Sequence, residues 1–299
     1  MKFPYISIFI SLMSLALVST HAALPSELYW KSKLPTTQMP KAITDLLNST
    51  GKGKVNGTSN SGYPFFYYGY AANKSQLHDN PNVGLFFLKK DLHHGTKFNM
   101  QFTKTSKYGA SFLSKQVATS IPFSSNKLKN ILNHFSIKNG SYESEFVKST
   151  ITVCEMPAIK GEEKLCVTSL ESMVDFAASK LGNNVEAVST QVKNESSVLQ
   201  EYVIAKGVKR LGEKNKTVVC HKVNYPYAVF YCHKTDKTKV YSVILEGVDG
   251  NRVKAVAVCH TETTQWSHNH LAFQVLNVQP GTEPVCHFFT QEHVVWISK

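Results

Sequence analysis

Four Cys-His dipeptides near the carboxyl end constrain this chain more than any other feature. They are Cys220-His221, Cys232-His233, Cys259-His260 and Cys286-His287, spaced CH-x10-CH-x25-CH-x25-CH. They use four of the chain's six cysteines and four of its 12 histidines. The residues around each pair include valine, tyrosine or phenylalanine, which suit strands. On a strand, successive side chains point to opposite faces. Each pair therefore sends its sulfur one way and its imidazole the other. Four such strands predict four sulfurs gathered on one side and four imidazoles on the other.

The first two pairs allow a sharper expectation. Pro226 lies midway between Cys220 and Cys232. A symmetric hairpin turning over 224–228 sets Cys220 directly opposite Cys232. Opposed Cα atoms lie about 4.5–5.5 Å apart, within disulfide range. In that register His221 opposes Tyr231 and Val219 opposes His233. The two imidazoles then become diagonal neighbours, about 7–8 Å apart, and can reach one ion between them.

The compartment decides how the cysteines read. Lys2, an apolar run over 6–18 and Thr20-His21-Ala22 have the layout of a secretory signal peptide, cleaved after Ala22. The run is too short for an ordinary membrane span, and no other segment approaches one. An oxidising destination favours disulfides. Cys154 and Cys166 complete an even set, and six cysteines allow 15 connectivities. Six Asn-x-Ser/Thr sequons, at Asn48, Asn56, Asn73, Asn139, Asn194 and Asn215, agree with the same route. The formal charge is +12, and +11 once Lys2 leaves with residues 1–22. Such a surface is drawn to acidic polysaccharide or membrane surfaces. The lysines are scattered and form no basic stripe, which argues against a nucleic-acid partner.

Three readings of the Cys-His pairs compete. The cysteines form disulfides while the histidines bind a transition metal; or all eight side chains bind metal; or the cysteines form disulfides and the histidines fill the core. Secretion and the lack of a C-x(2–4)-C group oppose the second. Recurrence at a fixed offset favours the first over the third. Imidazole donors without thiolate in an oxidising compartment suit copper best by affinity order. His268 and His270 form a separate H-x-H that can add ligands or sit in an exposed loop; His78, His93 and His94 are weaker candidates.

Along the chain, residues 23–84 read as a leader. It contains a short amphipathic helix over 39–47 and a Gly/Ser/Asn/Thr-rich linker over 51–62. An aromatic segment over 63–70 follows, with Tyr63, Phe65, Phe66, Tyr67, Tyr68 and Tyr70. The character changes at Val83. A buried strand over 84–88, a turn over 91–95 and the alternation of Phe98, Met100 and Phe102 open a domain spanning 85–299. Ser124 or Ser125 caps a helix over 126–135. Thr168 and Glu171 have capping-box spacing for a helix that ends near Gly182. Strands are then predicted at 202–204, 217–220, 228–232, 240–245, 253–259, 271–278 and 285–289, with Asp249-Gly250 as a hairpin turn. The fold class is α+β: a largely antiparallel sheet system with a few helices, stabilised by disulfides and preceded by an irregular leader.

The four-pair spacing resembles the BURP domain of plants. Leu85-Phe86-Phe87-Leu88-Lys89-Lys90-Asp91-Leu92 resembles the domain's opening, and Cys154 and Cys166 fall where the family has its other two cysteines. Tyr29-Trp30-Lys31 through Leu47 resembles the family's segment after the signal peptide. Residues 63–88, with Gln76-Leu77-His78-Asp79, look most like the dehydration-responsive subgroup. Two departures stand out. The family commonly has Asp-Leu-His-Pro-Gly where this chain has Asp91-Leu92-His93-His94-Gly95. Of the subgroup's leader repeats, only Gly51-Lys52-Gly53-Lys54-Val55-Asn56 resembles a unit.

The resemblance implies a secreted or vacuolar protein linked to drought or salt stress and to the cell wall. It implies copper at His221, His233, His260 and His287. Some members are autocatalytic copper-dependent peptide cyclases that join a tyrosine or tryptophan side chain to another residue. Residues 63–70 are the candidate core peptide for that reading, with packing as an edge strand as the other role for those aromatics. The expectation is a secreted, glycosylated, disulfide-bonded protein with a histidine copper site and a stress-related role at the apoplast or cell wall. The cyclase is the alternative, and whether the chain is an enzyme is left open.

Overall fold

The computed structural model describes residues 25–48, 86–102, 110–193, 196–213 and 216–299. The expected signal peptide, the 51–62 linker, the aromatic segment and the sequons at Asn56, Asn73, Asn194 and Asn215 lie outside those residues.

Alternating apolar residues in the second half build two antiparallel sheets. The first contains β1 (Phe86–Leu88), β2 (Lys97–Phe102), β5 (Gln191–Val192), β6 (Ser196–Ile204), β7 (Lys209–Leu211), β10 (Thr238–Gly247), β11 (Arg252–His260) and β12 (Val285–Phe288). Its order is β1-β12-β11-β10-β6-β2, with β5 on β11 and β7 on β10. The second contains β3 (Glu162–Val167), β4 (Val185–Val188), β8 (Thr217–Val223), β9 (Val229–Thr235) and β13 (Val294–Ser298), ordered β3-β9-β8-β13-β4.

The first sheet curls on itself. Phe87 of β1 and Phe98 of β2, from opposite ends of the strand order, have ring centroids 5.0 Å apart. Phe288 stacks on Phe87 at 4.6 Å. Met100, Phe102, Tyr202, Val243, Leu245, Cys259 and Cys286 fill the enclosed core. A separate apolar layer holds Val219, Val240, Val256, Val258, Phe289, Val295 and Ile297, drawn from both sheets. Alternation on β11 sends Val256 and Val258 to this layer and Ala255, Ala257 and Cys259 to the curled core.

Helices pack on the outer face of the second sheet, on the Val223/Val229 end of its β8–β9 hairpin and on β1 of the first sheet. Those described are α1 (Ser26–Lys33), α2 (Lys41–Asn48), α3 (Lys115–Ser120), α4 (Leu128–His134), α5 (Tyr142–Glu155), α6 (Leu170–Leu181) and α7 (Leu271–Leu276). Helix α6 buries Leu170, Met173, Val174 and Ala177 against Val218, Cys220, Phe230 and Trp296. Its cap is Ser169, one residue later than the expected Thr168. The Ser172 N–H donates to Ser169 Oγ, and the Ser169 N–H donates back to Ser172 Oγ. Glu171 is therefore not needed for capping, and its buried carboxylate instead accepts from Ser26 Oγ at 2.8 Å.

Several elements differ from expectation, among them α3, β3, β4, β7 and β13, which are not in the predicted set. Residues 271–276 are a helix, where a strand was predicted. His270 caps it by accepting the Ala272 N–H, and Asn277 ends it in the left-handed region at φ 51°. Helix α5 is not among the predicted elements, although Ser141 caps it and Glu143 and Glu145 occupy its first turn. Residues 25–48, expected within an irregular leader, form two helices built into the second sheet's core. Trp30 packs against Trp296 with centroids 5.1 Å apart, its indole N–H donates to the Thr37 carbonyl, and Leu34 and Ile43 are buried beside it. Among the described residues, no helix is long and apolar enough to cross a membrane.

Candidate metal centre

The hairpin of β8 and β9 turns over 224–228, as its symmetry predicts. Cys220 pairs with Cys232, His221 with Tyr231 and Val219 with His233. Cys220 and Cys232 form a disulfide with Cα atoms 4.0 Å apart, on the face buried beneath α6. The imidazoles of His221 and His233 take the other face.

The first sheet repeats this arrangement. Cys259 on β11 lies directly opposite Cys286 on β12, and they form a second disulfide, again with Cα atoms 4.0 Å apart. His260 opposes Val285 and His287 opposes Val258. The 25 residues between these two pairs accommodate α7, whereas the ten between the first two make a short turn.

One expectation is thereby corrected. The four imidazoles do gather, but the sulfurs do not. The two ladders lie on different sheets that face each other, so both histidine faces point into the space between them. The sulfurs point outward into two separate cores. The ring centroids of His221 and His233 are 5.3 Å apart, those of His260 and His287 are 5.6 Å apart, and His221 and His287 join the two pairs at 6.4 Å. The third disulfide, Cys154–Cys166, ties the end of α5 to β3.

Two further histidines border the cluster. His293, just before β13, lies 5.2 Å from His221 by centroid. His270 lies 4.5 Å from the Trp266 ring, and Trp266 in turn lies 5.0 Å from His260. Phe86 and Phe289 flank His287. His293 had no motif to mark it. His268, His93 and His94 are exposed, and His94 Nδ1 bonds the Ile204 carbonyl instead. His78 lies outside the described residues.

Hydrogen bonds sort these rings by tautomer. His233 Nδ1 donates to Glu162 Oε1 at 2.9 Å, so in the neutral ring Nε2 carries the lone pair. That Nε2 faces His221 Nε2 at 3.3 Å. The reverse holds for the two bordering rings. The Lys222 N–H donates to His293 Nδ1, and the Ala272 N–H donates to His270 Nδ1. Their neutral forms carry the proton on Nε2. As placed, His293 and His270 present a donor where a ligand presents a lone pair.

Burial favours the neutral form of five of these rings, His221, His260, His270, His287 and His293. Burial, with His293, His233, His287 and His260 adding to it, holds His221 well below the ordinary imidazole value. His260 is held down by burial and by His287, His233 and His270. Burial takes His287 down to about 3, and His293 and His270 to about 4. Burial also pushes Glu162 up, but the His233 hydrogen bond and charge, the Ile159 N–H and the Tyr231 hydroxyl outweigh it, and its carboxyl stays below the ordinary range. Neutral imidazole is the form that ligates metals.

Whether a transition metal fits can be judged from the opposed nitrogens. Two nitrogens each about 2.05 Å from one ion and 3.3 Å from each other subtend roughly 107°, close to tetrahedral. A carboxylate behind one ring matches the arrangement that orients metal-bound histidine. Among the described residues, no three His, Cys, Asp or Glu side chains already surround a common point in coordination geometry. The His221/His233 pair is therefore the preformed part, and His260 and His287 line the adjoining space. For both Nε2 atoms to face one ion, the neutral His221 ring would carry its proton on Nδ1, as His233 does.

Of the remaining sequence candidates, Asn48 and Asn139 are exposed, at the end of α2 and in the turn before α5.

A family model described as the BURP domain matches residues 85–298. The chain is 54% identical over 237 residues to BURP domain protein RD22 of Arabidopsis thaliana, which covers 78% of this chain and 60% of that protein. It is 52% identical over 235 residues to BURP domain-containing protein 3 of Oryza sativa subsp. japonica, covering 77% of this chain and 54% of the relative. BURP domain-containing protein 5 of the same rice is 43% identical over 291 residues, covering 94% and 89%. The chain thus spans little more than half the length of the first two relatives.

Proposed function

This chain belongs to the BURP domain family, and we propose that it is a secreted, stress-associated plant protein whose Cys-His histidines hold copper. The dehydration-responsive resemblance of residues 63–88 supports the stress-related role. The +12 formal charge supports residence among acidic wall polysaccharides.

The observation that carries the copper reading is the pair of Nε2 atoms facing each other at 3.3 Å, one of them backed by a buried carboxylate. His221, His233, His260 and His287 would hold the ion. The disulfides keep the strands beneath these rings in register, Glu162 orients one ring, and Phe86, Phe289 and Trp266 limit access of water. When bound, copper supplies one-electron exchange with dioxygen and reductants. Titration of the metal-free protein with Cu(II), with bound metal measured after gel filtration, tests this. Replacing both His221 and His233 by alanine lowers uptake at least tenfold; full uptake in that variant removes the ligand assignment. Pectin binding should weaken as salt rises, because exposed charges are screened within about 8 Å at 0.15 M. Salt-insensitive binding would count against the wall reading.

One observation favours the peptide cyclase as a second reading. Phe86 lies against His287 and His270, only 16 residues after Tyr70. A linker of that length spans at most roughly 55 Å, ample for the 63–70 segment to reach the site of its own chain. Joining a tyrosine side chain to another residue removes two hydrogens, which dioxygen takes up. Incubation with Cu(II), a reductant and air, followed by digestion and mass spectrometry, should show that loss within the 63–70 peptide. An unchanged mass in copper-loaded protein excludes autocatalysis on this segment.

A further inference from the structure

We infer that Glu162 is a positioning residue of the histidine centre: it locks His233 in the tautomer whose Nε2 lone pair faces His221. The inference deepens the copper reading and rests on it for the ligand role of His233.

Glu162 lies on β3, the edge strand of the second sheet, outside every Cys-His pair. Its side chain is only 2% exposed. A carboxylate taken that far from water is costly unless its oxygens are hydrogen-bonded. Here three donors reach it. Oε1 accepts from His233 Nδ1 at 2.9 Å and from the Tyr231 hydroxyl at 3.0 Å. Oε2 accepts the Ile159 backbone N–H at 3.2 Å. Two of these three bonds, from Tyr231 and Ile159, do not involve His233. They hold the carboxylate itself in place, so its direction is set independently of His233.

A carboxylate has no proton to offer when ionised, so the proton on this contact belongs to His233 Nδ1. Nε2 is then left as an acceptor, and it points at His221. The contrast with His293 and His270 makes the assignment specific. Those rings receive backbone N–H groups on Nδ1 and are set to the opposite tautomer. Among the rings whose Nδ1 partner the structure defines within the cluster, His233 alone is turned to ligate through Nε2. Partners that orient ligating histidines in this way change metal affinity by about 10–100-fold when removed.

The test uses the full chain in its metal-free form at neutral pH, with ring nitrogens followed by 15N NMR and His233 identified by its loss in His233→Ala. Wild-type His233 should show a protonated Nδ1 and an unprotonated Nε2. A proton on Nε2 in the wild-type protein overturns the inference without any variant. Glu162→Gln keeps the volume but loses the charge, and Glu162→Ala removes the partner. Both should give a mixed tautomer at His233. Copper affinity, measured by competition with a chelator, should fall about tenfold for Glu162→Gln and towards 100-fold for Glu162→Ala. Glu163→Gln, on the exposed face of the same strand, is the control and should bind as the wild type does. If both Glu162 variants retain the single tautomer and bind within threefold of wild type, Glu162 does not position the site. If the wild-type protein binds no copper while its tautomer shifts in the variants, the positioning stands and the copper reading fails.

Discussion

Among single residues, the adjacency of cysteine and histidine does two jobs with one strand. The sulfur cross-links two strands on the core side, while the imidazole occupies the opposite face of the same link. Neutral buried rings have a consequence for acid stability. His287 titrates near 3 in the folded protein, and His293 and His270 near 4, against about 6.5 unfolded. Between those values the unfolded chain binds protons that the folded chain refuses, so stability falls as pH drops from about 6.5 towards 4. The slope reaches roughly 1.4 kcal/mol per pH unit for each fully buried ring. Glu162, depressed in the fold, acts in the same direction at lower pH. Urea unfolding of metal-free protein at pH 7.5, 6 and 5 should show a steadily falling midpoint; a flat profile would mean that these rings are solvated. The Cys220–Cys232 register was legible because the spacing and Pro226 specify a hairpin. Glu162 was not, because it meets His233 only through the pairing of β3 with β9, across 71 residues.

For helices and strands, local patterns were readable wherever local forces decide. β2, β10, β11 and the turn at Gly250 follow from alternation and turn chemistry. Helix α7 escaped because its apolar residues, Leu271, Ala272, Phe273, Val275 and Leu276, suit either period. The cap from His270 and the left-handed Asn277 decide it. Asn277→Val should cost about 1 kcal/mol or more, since a β-branched residue resists that backbone conformation, while Asn277→Gly should be close to neutral. Thermal denaturation of the two variants distinguishes them. The edge strand β3 depends on the Cys154–Cys166 link, which closes a loop of 12 residues' separation. Replacing both cysteines by serine should cost about 3 kcal/mol through the entropy regained by the unfolded chain. Amide exchange should rise first along β3. Unchanged exchange there would show that pairing with β9 alone holds the strand.

Across the molecule, two sheets facing each other turn four separate dipeptides into one cluster. The amino-terminal helices belong to this architecture. Trp30 is buried against Trp296, so Trp30→Ala should destabilise the fold by about 3–5 kcal/mol, measured by denaturant titration. A loss under 1 kcal/mol would show that α1 is dispensable to the core. β7, β13 and the helical state of 271–276 could not be read from the order of residues; most strands of the second half, the opposed cysteines of the first hairpin, the family and the four imidazoles opposite their sulfurs could. Strand alternation and short-range turn geometry are enough for that. Packing alone divides the sulfurs between two cores, brings His293 and His270 to the cluster and sets Glu162 behind His233. Those relations depend on how one sheet lies on the other and on which edge strand pairs, and no local period encodes either.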